Sequence, residues 1–183
     1  KGRDSTGVRG IRLARKDFVV SMAIIRHVNV LSEERSAYFK MRRAITGEIS
    51  VEEGSNDNLV TISKERYTEL SAAEEWILTL TASGFGKRSS AHEFRVSGRG
   101  GQGITAANLL RRDDTIVASF PVEEDDQIML VTSAGQAIRC PVTGISRQSR
   151  TASGVKVFNT SEDEKVVSVA WIAEKNDENP PST

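Results

Sequence analysis

The sequence predicts an all-β fold of propeller-like blades, each with four antiparallel strands, and a partly helical insert. Two observations predict this class. The second half of the chain matches itself without gaps at an offset of 51 residues. Each copy is a series of short runs rich in Val, Ile and Thr, separated by glycine turns, as strands are. Four short strands in about 50 residues is the size of a propeller blade.

The repeat rests on matched glycines and arginines. At the offset of 51, four pairs recur: Gly84/Gly135, Arg88/Arg139, Arg99/Arg150 and Gly103/Gly154. A partial copy opens the chain at an offset of 96, and the same alignment places Asp17, Asp113 and Glu164 at one position. The opening copy lacks its first half, which predicts a fragment cut inside a repeat. The recurring glycines predict turns that need a positive φ.

These copies divide the chain into five segments. They are the second half of a blade (1–28), a helical and acidic insert (29–75), two blades (76–122 and 123–173) and a flexible tail (174–183). Within the insert, residues 31–47 predict a helix with Ser32 as N-cap, and residues 63–75 predict a second helix capped by Ser63. The acidic stretch 47–58 is predicted to be mobile. The insert is interpreted as a decoration between two blades.

Composition excludes several function classes. One cysteine and two histidines are too few for a zinc site or a histidine-based triad, and His92 beside Glu93 predicts a surface pair. No signal peptide opens the chain, and no apolar run reaches the ~18–20 residues of a membrane span, so we expect a cytoplasmic location and no membrane partner. We expect neither catalysis nor a bound cofactor in this fragment.

A glycine motif offers a competing function. Gly98, Gly100 and Gly103 match the dinucleotide-binding fingerprint, which would indicate a nucleotide-dependent enzyme. That motif requires a following helix, and the segment after Gly103 becomes charged too quickly for one. Only Gly103 recurs in the next copy, so the repeat favours a turn.

The zero net charge, from 25 basic and 25 acidic residues, hides a segregation of sign. Residues 1–28 and 84–112 each carry +5, and 135–156 hold four bases and no acid, whereas the insert carries −4. Stacked copies would align the basic segments into a stripe, as expected of a surface that follows nucleic-acid phosphates. The predicted DNA-binding residues are Arg3, Arg9, Arg12, Lys87, Arg88, Arg95, Arg99, Arg139, Arg147, Arg150 and Lys156.

Two groups within this set differ in their expected position. Lys87, Arg88 and Arg139 follow hairpin turns and are expected on the rim of the blades. Arg99 and Arg150 precede a glycine loop, where a guanidinium group can either brace carbonyl oxygens or meet DNA. Both roles stay open at this point.

Three phrases carry a family resemblance: GRDSTGVRGIRL, GFGKRSSAHEFRVSGRGGQGI and GISRQSRTASGVKV. They resemble the blade motifs of the C-terminal domain of the bacterial DNA gyrase A protein, and the likeness covers residues 1–28 and 76–173. It implies a β-pinwheel whose basic rim wraps duplex DNA. The family's QRRGGKG-like heptapeptide is absent as such, and RGGQG at 99–103 matches it only in part.

The resemblance implies a non-catalytic DNA-wrapping module of a type II topoisomerase, which bends duplex DNA for strand passage and supercoiling. It implies double-stranded DNA as a partner. It also implies two protein partners, the rest of gyrase A and the gyrase B protein, in an A2B2 assembly associated with the nucleoid. ATP and Mg²⁺ would be used by that parent enzyme. Two alternatives remain: the C-terminal domain of topoisomerase IV, and a propeller scaffold for protein–protein interaction.

Overall fold

The computed structural model describes residues 2–47, 61–111, 113–161 and 163–172. The predicted flexible tail 174–183 and, apart from Gly47, the predicted mobile stretch 47–58 lie outside these residues. The elements are α1 (Ser32–Thr46), α2 (Lys64–Ala72), β1 (Trp76–Thr81), β2 (Phe85–Ser90), β3 (Ile116–Val122), β4 (Gln127–Thr132), β5 (Ala137–Pro141), β6 (Val155–Lys156) and β7 (Val166–Ile172).

The strands form two antiparallel sheets, in the orders β3-β1-β2-β6 and β5-β4-β7. The all-β class predicted from the repeat is confirmed. In one respect the sheets differ from the repeat, which assigns four strands to each copy. The fourth strand of the first sheet, β6, belongs to the following copy and pairs with β2 through Phe85↔Lys156 and Gly86↔Val155. The second and third copies are therefore joined by an exchanged strand.

The recurring glycines occupy the turns predicted for them. Gly84 and Gly135 close the β1–β2 and β4–β5 hairpins with φ of 82° and 81°. Gly7, Gly103 and Gly154 mark the loop of each copy with φ of 76°, 79° and 89°. L-residues with a Cβ rarely adopt this conformation, which explains why glycine recurs there.

The hydrophobic core lies between the two sheets. Leu78 and Leu80 of β1 pack with Ile128 and Leu130 of β4 in one buried cluster. Ile145, which follows the short 3-10 turn after β5, belongs to the same cluster. In β4 alternate residues are buried, whereas consecutive residues of β1 are buried, so the first sheet is covered on both faces. The burial of apolar area between the sheets holds the two copies together.

After the loop of the middle copy, the sequence alignment is wrong by one residue. The main-chain N–H groups of Asp17, Asp114 and Glu164 each donate to the carbonyl three residues earlier, at 3.1, 3.2 and 3.1 Å. Asp114, and not Asp113, therefore stands at the position of Asp17 and Glu164. The loop of the middle copy holds one additional residue before this turn, which an ungapped alignment cannot detect.

The insert forms two helices. The predicted cap of α2 is confirmed, because Ser63 Oγ accepts a hydrogen bond from the Arg66 N–H at 3.1 Å. The predicted cap of α1 is wrong: Leu31 is the N-cap, and its N–H donates to the Glu34 carboxylate at 3.0 Å. Within the described residues, no helix is long and apolar enough to cross a membrane.

The insert packs on the first sheet through an aromatic contact. The ring of Tyr38, 1% exposed, meets the His92 ring edge-on at 5.5 Å between centroids. His92 Nε2 lies 3.0 Å from the carbonyl oxygen of Leu70, which is fully buried. The surface pair predicted for His92 and Glu93 is wrong, since His92 is 8% exposed. The Tyr38 hydroxyl donates a hydrogen bond to the Glu74 carboxylate at 2.8 Å. Burial raises the pKa of the Tyr38 phenol, and the negative charge of Glu74 raises it further.

Candidate nucleic-acid interface

The loops of consecutive copies are joined by the same main-chain hydrogen bond. Arg12 N–H donates to the Gly101 carbonyl at 2.8 Å, between the first and second copies. Asn108 N–H donates to the Ala152 carbonyl at 3.4 Å, between the second and third. The offsets of 96 and 51 make Arg12 equivalent to Asn108 and Gly101 equivalent to Ala152. The insert therefore leaves the stacking of the loops unchanged.

These stacked loops present exposed cations. Gly100 N–H also donates to the Gly10 carbonyl at 2.8 Å, which holds the first loop against the second. The predicted binding residues that are exposed are Arg3, Arg9, Arg12, Arg95, Arg99, Arg139, Arg147 and Lys156. Arg3 and Arg99 occupy equivalent positions in the first and second copies, so the stacking of these loops places exposed cations of like charge on neighbouring loops.

Lys87 and Arg88 do not lie on the rim, and the predicted position is wrong for both. Lys87 is 1% exposed, and its Nζ donates to the carbonyl oxygens of Ser149, at 2.9 Å, and Arg150. Arg88 is 5% exposed; its Nε donates to the Ile145 carbonyl at 2.7 Å. Both side chains point from β2 into the loop of the following copy, which contributes β6. A strand exchange buries these positions, and the sequence alone gives no sign of it.

Burial changes the acidity of Lys87. Desolvation lowers the pKa of its ammonium group to about 8, and the Arg150 charge adds to this, while the Glu93 carboxylate acts in the opposite direction. The two carbonyl acceptors remain partners of the neutral amine, because that form still carries two N–H donors. Lys87 thus connects two copies in either protonation state.

The two arginines left open by the sequence behave differently. Arg150 is half-buried and donates from its guanidinium group to the Thr105 carbonyl, and its main-chain N–H donates to the Glu93 carboxylate at 2.6 Å. Arg99 is exposed, and within the described residues its side chain makes no hydrogen bond or ion pair. Arg150 braces a loop, whereas Arg99 is available to a ligand.

Arg147 is exposed but held in place. Its guanidinium carbon lies 4.4 Å from the centroid of the Trp76 ring, and the group forms an ion pair with Glu124. Burial alone would raise the pKa of Glu124, but Arg147 and Arg88 outweigh it, and the pKa is lowered. Sequence reasoning missed Trp76 and Glu124 as positioning residues because they belong to other strands and connections.

Arg139 and Lys156 are also oriented by local contacts. Arg139 Nε donates to the Gln127 side-chain oxygen at 2.6 Å, across the β4–β5 pair. Lys156 Nζ donates to the Ser83 carbonyl at 2.8 Å and lies 4.9 Å from the centroid of the Phe85 ring. Their charges remain exposed to an approaching polyanion.

Strand-exchanged antiparallel blades with stacked arginine loops define a repeat protein of the propeller class. The family model described as "DNA gyrase C-terminal domain, beta-propeller" matches residues 1–26, 75–123 and 126–170. The chain belongs to this family, and the resemblance drawn from the blade motifs is confirmed. The segment between the first two matches contains α1 and α2.

Individual relatives agree with the family. The DNA gyrase A protein of Granulibacter bethesdensis is 44% identical over 187 residues, covering 94% of this chain and 20% of the relative. The chain thus spans about a fifth of that protein. A solved DNA gyrase A C-terminal domain has a TM-score of 0.50 and 27% identity, covering 55% of this chain and 34% of its own. A solved topoisomerase IV C-terminal domain has a TM-score of 0.50 and 26% identity, covering 55% and 31%.

Proposed function

We propose that this chain is a non-catalytic module that binds duplex DNA along its stacked loops and bends it. One observation carries the proposal: the same main-chain bond joins the loops at both junctions, Arg12 to Gly101 and Asn108 to Ala152. Exposed arginines on joined loops fit a polyanion, whereas a scaffold for proteins needs no such concentration of positive charge.

The mechanism is electrostatic. Each arginine that neutralises a phosphate releases counterions, and these contacts carry no base sequence information. Smooth bending of 20–30 base pairs by 40–90° costs on the order of 1–6 kcal/mol. Contacts added along the curve by successive loops offset this cost, so binding and bending are coupled.

The wider assembly is part of the same proposal. Relatives that are DNA gyrase A proteins support a role within gyrase A, in an A2B2 assembly with gyrase B that wraps DNA for strand passage. In that assembly ATP and Mg²⁺ would serve the parent enzyme, in the cytoplasm. Topoisomerase IV is the second candidate parent, supported by the structural likeness of its C-terminal domain.

Two measurements test the proposal. Titration of a labelled duplex at several salt concentrations should give an affinity that falls steeply with salt and varies little with sequence. Ligation of nicked circular DNA in the presence of the chain should shift the linking number, because bent DNA held on a disc is constrained. No binding at low salt would contradict the proposal, and binding without a linking-number change would contradict wrapping.

A further inference from the structure

A cleft of about 290 Å³ lies where the insert meets the first sheet. The segment that enters the insert forms one wall with Ile25 and Arg26, helix α1 contributes Arg35, and the loop after β2 contributes Phe94 and Arg95. One water needs roughly 10–15 Å³ of such space, so the cleft has room for a small hydrated group.

The cleft is cationic. Arg26, Arg35 and Arg95 line it, and Glu75 is the one carboxylate among its described lining residues. That carboxylate is already engaged: it accepts from the Arg26 main-chain N–H at 2.7 Å and lies 3.7 Å from the Arg26 Nε. His92 also lines the cleft, with its Nε2 directed at the Leu70 carbonyl. A net positive charge is left facing the cavity.

One nitrogen of the Arg35 guanidinium group has an unmet hydrogen-bonding requirement. Its Nε is buried and has no hydrogen-bond partner within the described residues, in a side chain that is half-buried. A buried donor without an acceptor is destabilising, so such groups are commonly explained by a ligand or solvent that completes them. Apolar neighbours such as Ile25 and Phe94 strengthen the attraction of the cleft for an anion, since they lower the local dielectric.

We propose that this cleft, the insert cleft, holds a phosphate group of the DNA backbone, with Arg35, Arg26 and Arg95 as its ligands. The inference rests on the proposed function and extends the interface onto the insert. Arg95 precedes Arg99 by four residues, a span of at most about 14 Å. Each DNA strand carries a charge about every 3.4 Å of rise, so Arg99 and the insert cleft can meet phosphates of one duplex. Helix α1 thus supplies a cation to DNA even though the insert as a whole is acidic.

The test compares two arginines of the same helix. Arg35→Gln removes the charge in the cleft, and Arg43→Gln removes an exposed charge in the last turn of α1, outside the cleft. Duplex titrations with the 183-residue chain at several salt concentrations give the slope of log affinity against log salt. Arg35→Gln should lower the slope by about 0.9 and the low-salt affinity about tenfold, and Arg35→Lys should restore the slope. Arg43→Gln should match the wild type.

Melting curves distinguish a loss of DNA contact from a loss of stability in the variants. If Arg35→Gln melts at a lower temperature than wild type, Arg26→Gln replaces it, because that side chain is 78% exposed. Equal slopes for wild type and the cleft variant, or equal losses for the cleft variant and Arg43→Gln, would overturn the inference. A wild type that binds no DNA at low salt would instead overturn the proposed function. A third arm adds inorganic phosphate at constant ionic strength: stabilisation that requires Arg35, with an unchanged DNA slope, would assign the cleft to free phosphate and overturn its role in DNA binding.

Discussion

Lys87 Nζ donates a hydrogen bond to the main-chain carbonyl of Ser149 at 2.9 Å, 62 positions further along the chain. The lysine belongs to the hairpin of one copy, and the carbonyl belongs to the loop of the next. With β6 paired to β2 beside it, this bond makes the loop of the third copy part of the fold of the second. The loop that carries Arg150 is therefore positioned by the preceding blade.

The pH dependence of the melting temperature, compared between wild type and Lys87→Met, tests this connection. The pKa of Lys87 is about 8 in the folded chain, against an ordinary 10.5, so between these values the unfolded chain binds more protons than the folded one. Stability from this group must therefore rise as pH increases from 8 to 10.5. The melting temperature of wild type relative to Lys87→Met should increase between pH 7 and pH 10. A constant difference would show that the ammonium group is not desolvated.

Gly154→Ala should destabilise the strand exchange. Gly154 has a φ of +89°, and a Cβ there would lie 2.7 Å from the Gly86 carbonyl oxygen. Gly135 provides the control, with a φ of +81° and nothing within 4 Å of the added atom. Gly135→Ala should cost about 1–2 kcal/mol from backbone strain alone, and Gly154→Ala clearly more. Urea unfolding measures the free energy of unfolding of both variants. Equal decreases would rule out the close approach of residue 154 to the Gly86 carbonyl oxygen.

The equivalent residues Arg99 and Arg150 should give different phenotypes. Arg99→Ala should lower DNA affinity and reduce the salt slope by about 0.9, with the melting temperature unchanged. Arg150→Ala should lower the melting temperature, because Arg150 holds the Thr105 carbonyl. Paired melting and titration experiments separate the two, and a stable Arg150→Ala protein would argue against bracing.

Substitutions of Tyr38 test how strongly the insert packs on the first sheet. Tyr38→Ala should cost about 3–5 kcal/mol, as large aromatic truncations in a core do, because its ring packs on His92 and stacks 5.2 Å from Tyr67. Tyr38→Phe should cost only about 1 kcal/mol, for the lost hydrogen bond to Glu74. Urea titrations give both values. A cost below about 1 kcal/mol for the alanine variant would mean that the insert is a loose decoration.

Local signals in the sequence predicted the blades well. The glycine turns, the two hairpins and both helices follow from spacing and residue type, since each depends on neighbouring residues. The exchange of β6 could not be predicted, because pairing between Gly86 and Val155 is long-range and only two residues long. The ungapped alignment also missed the extra residue before Asp114, and a shift of one residue in a strand reverses which side chains face the core.

The same limit applies to the site. Sequence reasoning identified Arg99 and Arg147 as cations on repeated loops, and the structure finds both exposed. It misplaced Lys87, because charge alone does not show that a neighbouring copy covers the side chain. The role of Arg35 could not be predicted, because it lies in an acidic insert whose net charge conceals a single cation that lines a cleft.

The central claim, that the stacked loops follow DNA phosphates, is tested most directly by one salt-slope comparison. The triple variant Arg9→Gln/Arg12→Gln/Arg99→Gln removes three exposed charges from two joined loops. The control Arg43→Gln/Lys64→Gln/Lys165→Gln removes three exposed charges elsewhere. The loop variant should lose about 2.7 units of slope, at about 0.9 for each phosphate contact, while the control should keep the wild-type slope. Equal slopes for the two triple variants would contradict the assignment of DNA to the stacked loops.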